Sequence, residues 1–174
     1  MRYINYRMSR EWERWAGYLG IDRLIENRRK GLQDRAGFDS EVSHYLGACY
    51  EVAGAHLWNV CVSYLINTLW GEADLPGNWE IRGTQSDRWP LKVRPTDKDH
   101  FKCVRVTGPP SNMRFHGWYS AGEAKKRPEW FQEENKSKRV FGGFYVPNTE
   151  LLPLPDDLAV GCVVPPPDFT MLLK

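Results

Sequence analysis

A long apolar stripe at helical spacing between residues 40 and 70 constrains the fold of this chain most strongly. Its members recur at i, i+3, i+4 and i+7, which predicts one long amphipathic helix beginning near Asp39 or Ser40 and ending before Gly71. A helix of this kind must bury its apolar side against another layer of structure. The stripe comprises Val42, Tyr45, Leu46, Cys49, Val52, Ala53, His56, Leu57, Val60 and Tyr64.

The pattern changes to short strands after this helix. Alternating or apolar runs separated by Pro, Gly and Asp turns predict strands at 79–82, 91–94, 101–107, 112–119 and 141–146. Helical patterns are also present over 9–30, with Ser9 as N-cap, and over 121–135. This order predicts an α/β (α+β) fold with one central mixed sheet flanked by helices.

Length and composition favour one globular domain. The chain has 174 residues and a formal net charge of +2, with 41% hydrophobic and 26% charged residues. These values exclude wholesale disorder and a histone-like polycation. We expect a domain over 1–152, with N-terminal helices at 9–30 and the core at 40–147. A proline-rich tail at 153–174 is expected to be extended.

The four cysteines are scattered without a C-x-x-C pair, so neither a zinc ribbon nor a dithiol redox motif is predicted. This usage favours a reducing, intracellular compartment, and we expect a cytoplasmic protein. No apolar run reaches the length of a membrane-spanning helix.

Glu51 is the first candidate site residue, because it lies in a patch of small residues on the 40–70 helix. Its neighbours one turn away are Gly47, Ala48, Gly54 and Ala55. A ligand or another chain segment can approach a carboxylate in such a patch closely. The alternative is a helix that packs through its glycines and alanines while Glu51 extends into water.

Asp74 and Glu80 are the second and third candidates. A Pro-Gly-Asn turn separates them, so the two side chains can converge from either side of one bend. Glu80 and Arg82 share one face of the predicted strand, since side chains alternate with a period of two. Paired carboxylates are ligands that Mg²⁺ prefers. The alternative is an ordinary hairpin with a surface Glu–Arg pair.

Together these elements resemble the PD-(D/E)xK, or restriction-endonuclease-like, nuclease superfamily. Residues 47–57, GACYEVAGAHL, resemble its helical element, and Asp74 followed by Glu80-Ile81-Arg82 resembles its D…(D/E)xK element. The predicted order of elements over about 40–147 is similar to the αβββαβ core of that superfamily.

The resemblance implies a DNA-hydrolysing enzyme that uses Mg²⁺ or Mn²⁺. Glu51, Asp74 and Glu80 would bind the metal together with the backbone carbonyl of Ile81, and Arg82 would take the place of the catalytic lysine. The metal would polarise the phosphoryl group and help to generate hydroxide. The sequence departs from the pattern at Arg82, since arginine clamps phosphate but does not act as a base.

A nucleic-acid substrate requires a cationic surface. The candidates for this surface lie on the later strands and around the predicted helix at 121–135, where they alternate with acidic residues that could simply form a solvated face. They are Lys92, Lys102, Lys125, Lys126 and Arg127.

Three hypotheses therefore stay open. The first is a Mg²⁺-dependent deoxyribonuclease with DNA as its partner, acting alone or as a homodimer. The second is a catalytically inactive protein of the same fold that binds nucleic acid or a protein. The third is a structural or assembly protein whose aromatic side chains fill a subunit interface.

Overall fold

The computed structural model describes residues 3–31, 40–60, 72–135, 142–156 and 158. Within these ranges the protein is a mixed α/β structure with three α-helices and two β-sheets. The predicted mixed class is therefore confirmed. The helices are α1 (Arg10–Arg29), α2 (Ser40–Leu57) and α3 (Ala121–Lys125).

Helices α1 and α2 pack closely against each other. The Ser9 side chain accepts a hydrogen bond from the backbone N–H of Trp12 and caps the start of α1 as predicted. At Gly20 a Cβ atom would lie 2.8 Å from the Cα of Tyr45 on α2. Only glycine permits this approach, and it allows side chains from α1 to reach the site-bearing face of α2.

The first sheet contains four strands in the order β1-β5-β4-β2. They are β1 (Ile4–Tyr6), β2 (Trp79–Thr84), β4 (Lys102–Thr107) and β5 (Met113–Ser120). Strand β2 runs parallel to β4, whereas the β4–β5 and β1–β5 pairs are antiparallel. The sheet is therefore mixed, as expected, and β2 is one of its two edge strands.

The expectation of one central sheet is wrong. Strands β3 (Leu91–Val93), β6 (Phe131–Gln132) and β7 (Gly143–Val146) form a separate antiparallel sheet in the order β3-β7-β6. Hydrophobic alternation predicts that a segment is a strand, but it does not determine which backbone completes its hydrogen bonds. The strand after α3 thus joins a second sheet instead of extending the first.

Apolar side chains pack on both faces of the first sheet. On one face, Ile81, Val104 and Phe115 belong to a cluster with the buried residues of α1 and α2. On the other face, Cys103 belongs to a second cluster with Leu91 and the other buried residues of the second sheet and α3. Strand β2 thus lies between the helical layer and the segments that cover the opposite face.

Several predicted boundaries are confirmed closely, and one helix is wrong. The N-terminal helix and the five strands lie within one or two residues of their predicted ranges. The predicted helix at 121–135 ends at Lys125, and Pro128–Trp130 form a 3₁₀ turn before β6. Proline at 128 interrupts an α-helix there. Helix α2 also ends earlier than predicted, at Leu57, because residues 58–60 are not helical; residues 61–70 of the predicted helix lie outside the described residues.

The short strand β1 and one-turn 3₁₀ helices at Pro110–Asn112 and Asn148–Glu150 were not predicted. Across the ranges that the structure describes, no helix is both long and apolar enough to cross a membrane. Most of the predicted tail at 153–174 lies outside these ranges.

Candidate functional site

A tight hairpin brings Asp74 onto the edge of β2. Leu75 and Trp79 exchange backbone hydrogen bonds across the turn, in which Gly77 and Asn78 have positive φ angles of 78° and 67°. Glycine and asparagine tolerate this left-handed backbone better than other residues. The reversal lets the Asp74 carboxylate accept a hydrogen bond from the backbone N–H of Ile81 at 2.7 Å.

The backbone carbonyl of Ile81 points out of the same edge. Both backbone groups of Trp79 bond outward to Leu75, while the Asn78 carbonyl accepts a bond from the β4 side. The backbone N–H and C=O groups of successive strand residues point to alternate edges of the strand. Those of Ile81 therefore point outward from the sheet, like those of Trp79. A carbonyl oxygen therefore projects beside the carboxylate of Asp74, as a metal ligand at this position would require.

Glu51 approaches the same edge from the helical layer. Helix α2 packs on β2 where Gly54 meets the side chain of Ile81, and Glu51 lies one turn before that contact. Its carboxylate accepts two hydrogen bonds from the guanidinium of Arg23 on α1, one of 2.6 Å between Nη1 and Oε1 and one between Nη2 and Oε2. Both oxygens of Glu51 are thus held by one arginine.

Glu80 and Arg82 lie on the opposite face of β2. The Arg82 guanidinium lies between two carboxylates, 2.8 Å from Glu80 Oε1 and 2.7 Å from Asp97 Oδ1. The other oxygen of Asp97 accepts the backbone N–H of Arg94 at 2.8 Å. Glu80 and Asp97 are buried, and within the described residues Arg82 Nε has no hydrogen-bond partner.

The carboxylates influence one another across the strand. Burial raises the pKa of Asp74 well above its ordinary value of 3.8, and the charges of Glu51 and Glu80 raise it further. Burial also raises the pKa of Glu80, against the opposing effect of Arg82. Burial alone would lower the pKa of Arg82, but Glu80 and Asp97 raise it above its ordinary value. We call Glu51, Asp74 and Glu80 the acid cluster.

The acid cluster offers oxygen donors that suit a hard cation, three carboxylates and an outward carbonyl. In the described ranges, however, no three acidic, histidine or cysteine side chains are arranged to hold a metal ion. Arg23 bonds to both oxygens of Glu51, and Arg82 contacts Glu80. The donor chemistry thus fits Mg²⁺, while the side chains are arranged around guanidinium groups.

The predicted nucleic-acid-binding residues do not form one open cationic surface. Lys102 lies over the Trp79 ring, 4.8 Å from its centroid, on the face of the sheet opposite Glu80. Lys92 lies 5.9 Å from the ring centroid of Tyr145 on the second sheet. These two side chains are therefore on different layers of the molecule.

The remaining three predicted basic residues lie at the C-terminal end of α3, and each is paired with an acid. Lys125 Nζ lies 2.8 Å from Asp99 Oδ1, and it also donates to the backbone carbonyl of Asp97. Lys126 Nζ lies 2.6 Å from Glu123. Arg127 Nη1 lies 3.4 Å from Glu129 Oε1. The net positive charge of this region is correspondingly smaller than its lysines suggest.

A second polar cluster lies further along the same face of the sheet as Arg82. The fully buried Arg105 donates hydrogen bonds to the backbone carbonyls of Asp87 and Trp89 at 2.8–3.0 Å. The Thr107 hydroxyl donates to the Asp87 carboxylate and lies 2.7 Å from His116 Nε2. Burial and Arg105 lower the pKa of His116 to about 4, so it is neutral at pH 7. This cluster fixes the loop before β3, and Arg105 is not available to DNA.

Sequence reasoning missed Arg23 and Asp97, the partners of the acid cluster. Arg23 lies on the predicted N-terminal helix, and Asp97 lies between the predicted strands at 91–94 and 101–107. The Asp97 backbone N–H donates to the Arg94 carbonyl and closes a turn, and the Asp97 side chain accepts the Arg94 N–H. No signal in the sequence linked either residue to Glu51 or Arg82.

No protein-family model, curated protein or solved structure matches this chain.

Proposed function

We propose that this chain is a metal-dependent, nuclease-like protein that hydrolyses DNA phosphodiester bonds. The observation that carries the proposal is the position of Asp74 at the edge of β2, bonded to the Ile81 N–H and near enough to Glu51 on one face and Glu80 on the other for their charges to raise its pKa. These residues come from a helix, a turn and a strand, so the fold assembles a donor set that the sequence separates.

The order of elements supports a divergent restriction-endonuclease-like core. Helix α2 packs on β2, which carries Glu80 and Arg82, and β4, β5 and α3 follow along the chain. Two strands depart from that core, because β3 between β2 and β4 and β7 after α3 both belong to the second sheet. The proposal therefore depends on the acid cluster rather than on the full topology.

Each side chain has a distinct task in this proposal. A bound Mg²⁺ would polarise the scissile phosphate and lower the pKa of a water molecule. Glu51, Asp74, Glu80 and the Ile81 carbonyl would hold the ion. Arg82 cannot serve as a base, but its planar guanidinium suits a phosphate oxygen. Asp97 orients that guanidinium through its 2.7 Å contact.

A second candidate function is a catalytically inactive protein that binds nucleic acid or a protein partner through this face. The observation that favours it is the position of Arg82, which both Glu80 and Asp97 hold. An arginine held between two carboxylates can stabilise the protein without a metal. In that case no residue performs the role of the catalytic lysine of an active nuclease.

The decisive experiment measures cleavage of plasmid DNA and of a single-stranded oligonucleotide with Mg²⁺ or Mn²⁺. We expect metal-dependent cleavage by the wild type, and a rate at least about 100-fold lower for Asp74→Asn and Glu80→Gln. Glu129→Gln is the matched control, since it removes an exposed carboxylate paired with Arg127 and should leave the rate unchanged.

Full activity in Asp74→Asn and Glu80→Gln would refute the assignment of the site. Absence of cleavage by every variant with both metals and both substrates would refute the nuclease proposal. Salt-sensitive binding of the same DNA without cleavage would then identify the second candidate.

A further inference from the structure

Arg23 is a cationic side chain in direct contact with the acid cluster. It reaches across from α1 and holds both oxygens of Glu51, with its side chain 19% exposed and that of Glu51 24% exposed. The charges of both Glu51 and Asp74 raise the pKa of Arg23 against the effect of burial. Its guanidinium therefore acts on two of the three acids.

The charges around β2 are not balanced by the arginines in direct contact. Three carboxylates contact guanidinium groups there: Glu51 contacts Arg23, and Glu80 and Asp97 contact Arg82. Asp74 receives only the backbone N–H of Ile81 in this set of contacts. Among the described residues no basic side chain contacts Asp74, so a bound cation would neutralise its charge when it is ionised.

We infer that Arg23 is the resident counter-cation of the acid cluster and that a divalent metal ion displaces it from Glu51. The inference rests on the proposed function, because it assumes that the metal binds at these acids. Glu51 can donate an oxygen to a metal only after its two-bond contact with Arg23 opens.

Displacement also gives Arg23 a second role. Once Glu51 no longer accepts its two hydrogen bonds, the Arg23 guanidinium could donate them to an anion instead. A planar guanidinium forms paired hydrogen bonds with phosphate oxygens. Exchange of Arg23 for a metal would thus make the Glu51 carboxylate available to the metal. The same exchange would make the Arg23 guanidinium available to a phosphate.

The test is a calorimetric titration with MnCl₂ or MgCl₂ alone, in the absence of nucleic acid. We expect Arg23→Gln to bind Mn²⁺ about ten-fold more tightly than the wild type, since the metal no longer competes with a fixed positive charge. Arg23→Lys should fall between the two, because lysine keeps the charge but loses the two-bond contact. Glu51→Gln should bind the metal more weakly than the wild type.

Arg28→Gln is the matched control. Arg28 lies on the same helix and also pairs with an acid of α2, at 3.9 Å from Glu41, but both side chains are more than half exposed. The substitution removes the same charge and a contact between the same helices. Mn²⁺ affinity should therefore stay at the wild-type value.

Each result decides a specific point. Metal affinity that is unchanged or weaker in both Arg23 variants, with wild-type binding intact, would overturn the inference while leaving the proposed metal site in place. No metal binding by the wild type or by either Arg23 variant would overturn both. If Arg23→Gln does not fold, Arg23→Lys alone must still bind Mn²⁺ more tightly than the wild type. Tighter binding without DNA cleavage would support the inference and refute the hydrolytic function.

Discussion

Replacement of Asp74 by asparagine is expected to stabilise the metal-free protein. The carboxylate lies between the like charges of Glu51 and Glu80, and its principal partner is the backbone N–H of Ile81. Asparagine has nearly the same shape, and its side-chain oxygen can accept the same hydrogen bond. The substitution therefore removes the charge while it keeps the contact that holds the hairpin to β2.

The magnitude follows from opposing effects. At an effective dielectric constant of about 20, repulsion between neighbouring like charges amounts to roughly 1–2 kcal/mol for each pair. The loss of charge weakens the hydrogen bond to Ile81 by about 1 kcal/mol. Partial exposure of Asp74 screens the repulsion further. We expect a net stabilisation of about 1–2 kcal/mol, or a rise in Tm of about 2–8 °C for a chain of this size.

The effect must depend on pH with a defined sign. The pKa of Asp74 is raised in the folded protein above its ordinary value of 3.8, so between these two values the folded state binds more protons than the unfolded state. Wild-type stability therefore falls as the pH rises through this window. The advantage of Asp74→Asn should be near zero below pH 3.8 and should grow as the pH rises.

The assay is urea denaturation in EDTA at a series of pH values between 3.5 and 8 (about one unit apart). Asp97→Asn is the control, since it makes the same chemical change in the same network with the opposite result. Asp97 holds Arg82 and the backbone N–H of Arg94, so its loss should cost about 2–3 kcal/mol. Destabilisation by Asp74→Asn at pH 7, or a stabilisation independent of pH, would refute the reasoning.

Two further predictions concern the scaffold and are tested by the same denaturation assay. Gly83→Ala should cost about 2–4 kcal/mol, because a Cβ atom there would lie 1.8 Å from the buried ring of Tyr50. Gly47→Ala is its control and should stabilise by about 0.5–1 kcal/mol, since a Cβ at that helical position meets nothing within 4 Å; equal effects of the two variants would contradict the packing. Ser9→Ala should cost about 1 kcal/mol through loss of the bond to Trp12 N–H, and an unchanged free energy of unfolding would show that this cap contributes nothing.

The local structure was largely predictable from the sequence, and the pairing of strands was not. Helical spacing of apolar residues predicted α2, because the buried side of a helix must face one layer. Alternation of apolar residues predicted β2 and β4, because one face of a strand is buried in the same way. Strand β1 was not predicted because Ile4–Tyr6 is too short to show a hydrophobic period. The second sheet was not predicted because the sequence of β7 is compatible with pairing to either sheet.

The acid cluster shows the same division between local and distant information. The Pro-Gly-Asn turn was sufficient to predict that Asp74 and Glu80 approach each other. Arg23 lies 28 residues before its partner Glu51, and no periodic pattern connects two helices at particular residues. Contacts of this kind depend on the close approach of α1 and α2 at Gly20. The charges that compensate the acids therefore become visible only in the assembled structure.

The position of β2 at the edge of its sheet also bears on self-association. An exposed edge strand presents backbone groups on which a strand from another molecule can add, a common route to aggregation. Here Leu75 and the carboxylate of Asp74 already occupy the outer N–H groups of Trp79 and Ile81, and Glu51 places a further charge nearby. The acids thus hinder the addition of a strand from another molecule to β2. A variant that neutralises them is expected to fold more stably and to aggregate more readily.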